Sequence, residues 1–167
     1  ESPLLQNISF SLKKYSILGI IGESGSGKSL TALSILNILK YKGLKQIGDI
    51  IYDGDNITSY DSNQFRDFLK KEIGIIFQDP SSYLNPSMKC GDQMLEVLSQ
   101  KSSKVFLSEI LKKVKFSNPK EILNRYPHEL SGGQKQRIMI AMMIAKNSKI
   151  VICDEATSSL DALIKKE

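Results

Sequence analysis

Residues 22–29 read Gly22-Glu23-Ser24-Gly25-Ser26-Gly27-Lys28-Ser29 and fill the pattern G-x-x-x-x-G-K-[ST] completely. A short apolar run, residues 16–21 (SILGII), precedes them. Residues 29–40 (SLTALSILNILK) follow, with apolar positions at helical spacing. A buried strand, a glycine-rich turn and a helix in that order restrict the chain to an α/β class.

The residue types follow from what such a loop must hold. A triphosphate needs several backbone N–H donors converging on one point, and a chain curls that tightly only with glycine. The helix opening near Ser29 adds its positive end. Lys28 can neutralise charge on the β- and γ-phosphates, and the Ser29 hydroxyl is placed to ligate Mg²⁺. The expected nucleotide-binding stretch is Gly22, Glu23, Ser24, Gly25, Ser26, Gly27, Lys28, Ser29 and Leu30. Taken alone the loop implies a nucleotide and Mg²⁺ and leaves the reaction open.

Residues 149–153 (KIVIC) read as a last buried strand ending in Asp154 and Glu155. In a protein with such a phosphate loop, an Asp at a strand's carboxyl end faces Mg²⁺ across the phosphates. Glu155, next in the chain, can polarise an attacking water.

Leu130-Ser131-Gly132-Gly133-Gln134 stands before a helical run. Ser131 and Gln134 have capping-box spacing, so Ser131 is a predicted N-cap. Two consecutive glycines weaken a first helical turn. Bare N–H groups, a hydroxyl and a helix dipole are also what a second anion site needs.

Elsewhere the periodicity predicts an edge or half-buried strand over 7–12, a hairpin turn at Asp53-Gly54, a helix over 65–72 and a buried strand over 73–77. A loop over 79–86 precedes helices over 92–100, 104–115 and 119–124, then a helix from Ser131 to about Lys146. The expected fold is α/β: a mainly parallel core sheet, N-terminal antiparallel strands and a helical insertion. The expected division is an N-terminal core over 1–79, a helical subdomain over 80–130 and a returning segment over 131–167, one incomplete domain.

The net charge of +5 comes from lysines scattered over element ends. No basic stripe interleaved with aromatics is present, so no nucleic-acid partner is expected. No run of eighteen apolar residues occurs. Cys90 and Cys153 have no metal-ligand spacing, and Cys153, inside an apolar run, is read as a small hydrophobe. The chain opens without Met and in mid-pattern, so a missing N-terminal piece is expected.

The phosphate loop, Gln78 in IIFQDP, LSGGQ at 130–134, VICDE at 151–155 and SSLD at 158–161 fall in one order along the chain. In that order the chain resembles the ABC ATPase family. The resemblance covers almost the whole sequence. It implies an Mg²⁺-dependent ATPase. Gln78 would then be a lid glutamine touching Mg²⁺ or the attacking water, so Glu155 and Gln78 are the expected catalytic residues. Ser29, Gln78 and Asp154 are the expected metal ligands. Ser131, Gly132, Gly133 and Gln134 would contact the γ-phosphate of ATP held by a second subunit. Ser159, Leu160 and Asp161 would couple the two sites across a head-to-tail dimer.

Only 102 residues separate Lys28 from Ser131, too few for the coiled-coil arms of chromosome-maintenance relatives. FQDP through LNP (77–86) and YPHEL (126–130), with the GESGSGKS loop, look like the peptide/nickel importer branch. That branch implies a peripheral motor on the cytoplasmic side of the membrane. Its partners would be a second ATPase subunit, two permeases and, indirectly, a solute-binding protein. A non-transport ABC ATPase and a regulatory ATP-binding module are the alternatives. His128 is expected to serve structure or dimer contact. Tyr15-Ser16 stands where relatives read Gly-Glu, and Ala156 replaces a usual Pro. The switch histidine and adenine-stacking aromatic of the family are expected outside the chain.

Overall fold

In the computed structural model the described residues are 3–39, 43–76, 83–98 and 104–154. They fall into two units, Glu1–Arg66 and Asp67–Glu167.

The first unit holds helix α1 (Lys28–Ile35) and a hairpin of β1 (Ile51–Tyr52) and β2 (Asp55–Asn56). The hairpin is antiparallel, Tyr52 facing Asp55. Asp53 and Gly54 turn it at φ 50° and 95°, the left-handed pair that an Asp-Gly turn supplies. The Ile57 N–H donates to Ile50 O at 2.9 Å, and a 3₁₀ turn over Ile57–Ser59 follows, capped by the Asn56 side chain. Ile57, Leu36, Leu39 and Phe65 are its buried apolar residues. Helix α1 stops at Ile35, short of the predicted Lys40. Asn37 takes φ 51° and its N–H turns back to Ser34 O, a left-handed C-terminal stop.

Two predicted strands are absent. Residues 7–12 and 16–21 join no ladder, and Ile17 and Ile21 are almost fully exposed. An apolar run becomes a strand only where a neighbour accepts its backbone groups. The only ladder in this unit, among the described residues, is β1–β2.

Helix α2 (Ser62–Glu72) begins in the first unit and ends in the second. Asp61 Oδ1 accepts from the N–H groups of Asn63 and Gln64, and Gln64 Oε1 accepts from the Asp61 N–H, a reciprocal cap.

The second unit contains β3 (Ile73–Ile76), α3 (Cys90–Glu96), α4 (Lys104–Lys113), α5 (Pro119–Asn124), α6 (Gly132–Lys146) and β4 (Ile150–Cys153). Strands β3 and β4 pair in parallel from Ile73↔Ile150 to Ile76↔Cys153, with the long connection between them that a parallel pair requires. Helix α6 buries Ile138, Ala141, Met142 and Ala145, one face at helical spacing. They join Cys90, Met94, Leu107 and Leu111 in one core. Gly91 lets α3 approach α5: a Cβ there would lie 2.7 Å from Leu123 O.

Strand β4 is not the fully buried strand expected. Its residues alternate between half-buried and exposed, whereas its partner β3 is buried along nearly its whole length. Cys153 falls on the exposed side, which corrects its reading as a buried hydrophobe. Cys90 takes that role instead, with no exposed surface. Burial, helped by the charge of Glu129, pushes its thiol up to about 11.

Candidate phosphate-binding elements

The phosphate loop forms a tight turn, with the Ser26 N–H donating to Glu23 O at 3.2 Å. Gly25 and Gly27 take φ 82° and 95°, a region that costs a side-chain-bearing residue 1 kcal/mol or so. Gly27 is the N-cap of α1, and a Cβ on it would run into the Leu5 side chain. The first ladder bond of α1 runs from the Thr31 N–H to Gly27 O at 2.8 Å. The N–H groups of Lys28, Ser29 and Leu30 therefore stand ahead of the ladder, at the positive end of the helix.

Lys28 folds back across this loop. Its Nζ donates to Gly22 O at 2.8 Å and to Glu23 O at 2.7 Å. The loop thus fixes its own cation beside the open N–H groups. A fixed ammonium next to unpaired amides is a site for a multiply charged anion. The Ser29 side chain is exposed at the same helix start.

A second helix start has the same physical character. Ser131 Oγ accepts from the Gln134 N–H at 3.3 Å, and Gln134 Oε1 accepts from the Ser131 N–H at 2.9 Å. The predicted capping box is present in full. The ladder of α6 opens with the Lys135 N–H bonded to Ser131 O at 3.0 Å, so the Gly132 and Gly133 N–H groups precede it. A Cβ on Gly132 would meet nothing within 4 Å, so packing within the chain does not call for a glycine there. The 3₁₀ turn Pro127–Glu129 leads in, with the His128 ring stacked on Tyr126 at 5.6 Å.

Asp154 follows β4, and its N–H donates to Ile76 O at 2.9 Å. The β3–β4 ladder thereby runs one bond past Cys153 and fixes the backbone of Asp154 at the carboxyl end of a parallel pair. Ligands of parallel α/β sheets bind at that end.

The stretch 22–30 belongs to the first unit, and Ser131, Gly132, Gly133, Gln134 and Asp154 to the second. Gln78, Glu155, Ser159, Leu160 and Asp161 lie outside the described residues.

The sequence profile of the family described as ABC transporter matches residues 5–158. The chain belongs to the ABC transporter family. Within it, the oligopeptide transport ATP-binding protein OppD of Bacillus subtilis is 39% identical over 172 residues, covering 99% of this chain and 48% of that protein. The metal-staphylopine import system ATP-binding protein CntD of Staphylococcus aureus is 38% identical over 169 residues, covering 98% of this chain and 62% of that protein. Among solved structures, an ATP-binding cassette in a dimeric post-hydrolysis state bound to ADP and Pi superposes with a TM-score of 0.77. It is 26% identical and covers 98% of this chain and 70% of that one. The chain spans about half the length of the first relatives it matches. Its fold is the α/β fold of ABC ATPase cassettes.

Sequence reasoning missed three polar anchors of this ABC domain. Gln93, in α3, is buried and bonds to three backbone groups of residues 85–88. The Arg137 guanidinium lies 4.5 Å from the Phe116 ring centre and donates to Lys115 O at 2.9 Å. Lys146 Nζ donates to Leu69 O at 3.0 Å and to Ile73 O, and burial lowers its pKa. The available signal was a long polar residue at a core-facing helical position.

Proposed function

We propose that this chain binds and hydrolyses ATP as the motor part of an ABC importer, peripheral on the cytoplasmic side of the cell membrane. The imported solute is a peptide or a metal chelate, in line with the names of its relatives. No helix among the described residues is long and apolar enough to cross a membrane, which agrees with a peripheral subunit.

One observation carries the proposal. Lys28 Nζ is held over the carbonyls of Gly22 and Glu23, at the head of a helix whose first three N–H groups precede the ladder. In this reading residues 22–30 hold the phosphates of ATP. The exposed Ser29 hydroxyl and the Asp154 carboxylate are hard oxygen donors, the set that Mg²⁺ takes. With Gln78 they would hold the ion, which neutralises phosphate charge when bound. Glu155 acts as the base that polarises water, and Gln78 orients it.

Ser131, Gly132, Gly133 and Gln134 meet the γ-phosphate of ATP on a second ATPase subunit, and Ser159, Leu160 and Asp161 couple the two sites. The open space beside Gly132 suits a group arriving from outside the chain. The similar cassette solved as a dimer supports such pairing. Residues 1–79 then serve as the N-terminal part of the nucleotide core, 80–130 as a helical subdomain, and 131–167 as the signature helix and the Mg²⁺ and catalytic strand. A solute-binding protein acts through the permeases.

Phosphate release from MgATP by the full-length protein tests this. Glu155→Gln is expected to retain nucleotide binding and lose turnover by about a hundredfold or more. Equal turnover by the two proteins would remove Glu155 from the chemistry.

A further inference from the structure

Helix α6 has Ser131 as its N-cap and Lys146 as its last residue. Lys146 is half-buried, and burial lowers its pKa. A charge drawn partly out of water is costly unless the protein bonds it. Nζ donates to Leu69 O at 3.0 Å and to Ile73 O. Leu69 O lies in the last turn of α2, among the carbonyls that the helix ladder leaves open. Ile73 opens β3. One ammonium thus ties the tail of α6 to the point where α2 becomes β3. The same tail lies close along β3. The Ile75 N–H donates to Met143 Sδ at 3.1 Å. A Cβ on Gly74 would lie 3.0 Å from Met143 Sδ and 3.1 Å from Ser148 Oγ, so only a glycine allows this approach. Lys149 Nζ also lies 3.2 Å from Glu72 Oε2, but that lysine is mostly exposed and its ion pair adds little.

We infer that Lys146 is a positioning residue for turnover: bonded to the carbonyls of Leu69 and Ile73, it fixes the tail of α6 on β3 and so sets where residues 131–134 stand relative to Asp154. The inference rests on the proposed meeting of residues 131–134 with the ATP of a second subunit. Every link lies in the second unit. Strand β3 holds Asp154 through Ile76 O, which accepts from the Asp154 N–H at 2.9 Å. Three residues earlier it holds α6 through Ile73 O. The two groups proposed to face nucleotide therefore hang from one short strand. The 15 residues of α6 make a lever of about 22 Å. A tilt of about 5° at the tail carries the head by about 2 Å. A misplacement on the order of 1 Å in a reacting group is enough to slow a reaction strongly. Apolar packing alone tolerates a tilt of that size, whereas two carbonyl oxygens sharing one ammonium define a point.

The test is steady-state ATP hydrolysis by the full-length protein carrying Lys146→Met, Gly132→Ala or both, with rates expressed per nucleotide-binding site counted by titration. That count removes any unfolded fraction from kcat. Lys146→Met keeps an apolar stem and deletes the ammonium. It is expected to lower kcat about tenfold and leave the KM for MgATP within about twofold, since the phosphate loop is untouched. The double variant is expected to lose less than the product of the two single losses, because Lys146 acts through the head of α6. Multiplying losses, or an unchanged kcat in Lys146→Met beside a slowed Gly132→Ala, would overturn the inference and leave the role of residues 131–134 standing. An unchanged kcat in Gly132→Ala would overturn that role and this inference with it. If Lys146→Met does not fold, Met143→Leu removes the sulfur acceptor of the same joint at nearly constant volume. It is expected to lower kcat at constant KM, and an unchanged kcat there would equally overturn the inference.

Discussion

Ser131 and Gln134 cap each other: the serine hydroxyl accepts from the Gln134 N–H at 3.3 Å while the glutamine carbonyl accepts from the Ser131 N–H at 2.9 Å. The pair stabilises the start of α6 and leaves the Gly132 and Gly133 N–H groups ahead of the helical ladder. Structure and proposed function can be separated at this point. Ser131→Ala removes a cap and is expected to lower stability by about 1 kcal/mol. Ser131→Asp restores the cap but places a negative charge where phosphate would arrive, so stability recovers and ATP turnover does not. Chemical denaturation and phosphate release, run on both variants, check this.

Gly132→Ala makes the opposite pairing of effects. A Cβ there has open space, and alanine favours a helix over glycine by about 1 kcal/mol in a helix interior. Stability is expected to hold or rise by up to about 1 kcal/mol. Turnover is expected to fall, because the methyl would stand between the helix start and the phosphate of a partner's ATP. A variant that is both more stable and fully active would argue that the glycine serves no ligand.

Gly91→Ala tests the packing of α3 on α5. The added Cβ would lie 2.7 Å from Leu123 O and 3.1 Å from Leu123 Cβ. A carbonyl of the backbone cannot move aside as a flexible side chain can. The expected loss is about 1–3 kcal/mol, typical of overpacking, read as a lower denaturant midpoint.

Cys90 gives the domain a pH signature. Its thiol is raised from 9.0 to about 11 by burial and by the charge of Glu129, so the folded state retains a proton that the unfolded chain releases first. The contribution of Cys90 to stability is therefore complete below pH 9 and declines as pH rises from about 9 to about 11. Its full size is on the order of 3 kcal/mol. The difference in unfolding free energy between wild type and Cys90→Ala, measured from pH 7 to pH 11, is expected to shrink over that window.

Local signals carried well into the structure. The periodicity of α4, α5 and α6, the Asp53-Gly54 turn and the capping box at Ser131 depend on neighbours in sequence, and each stands where its residues place it. Residues 7–12 and 16–21 depend on partners distant in sequence, and periodicity cannot name a partner. The same limit hid Gln93, Arg137 and Lys146, whose bonds reach 5 to 77 residues away. The phosphate loop was legible because its glycines, lysine and helix start are contiguous. Glu155 was read from its place beside Asp154, while Gln78, Ser159, Leu160 and Asp161 were read through resemblance, and the roles of all five are proposals.

The central claim is that residues 22–30 hold the phosphates of ATP through open N–H groups and the ammonium of Lys28. Equilibrium titration of the full-length protein with a fluorescent ATP analogue and Mg²⁺, alongside Lys28→Ala, tests it most directly. Saturable binding by wild type, weakened about tenfold or more in Lys28→Ala, is the predicted result. Equal binding by the two proteins, or no binding by wild type, would contradict the account.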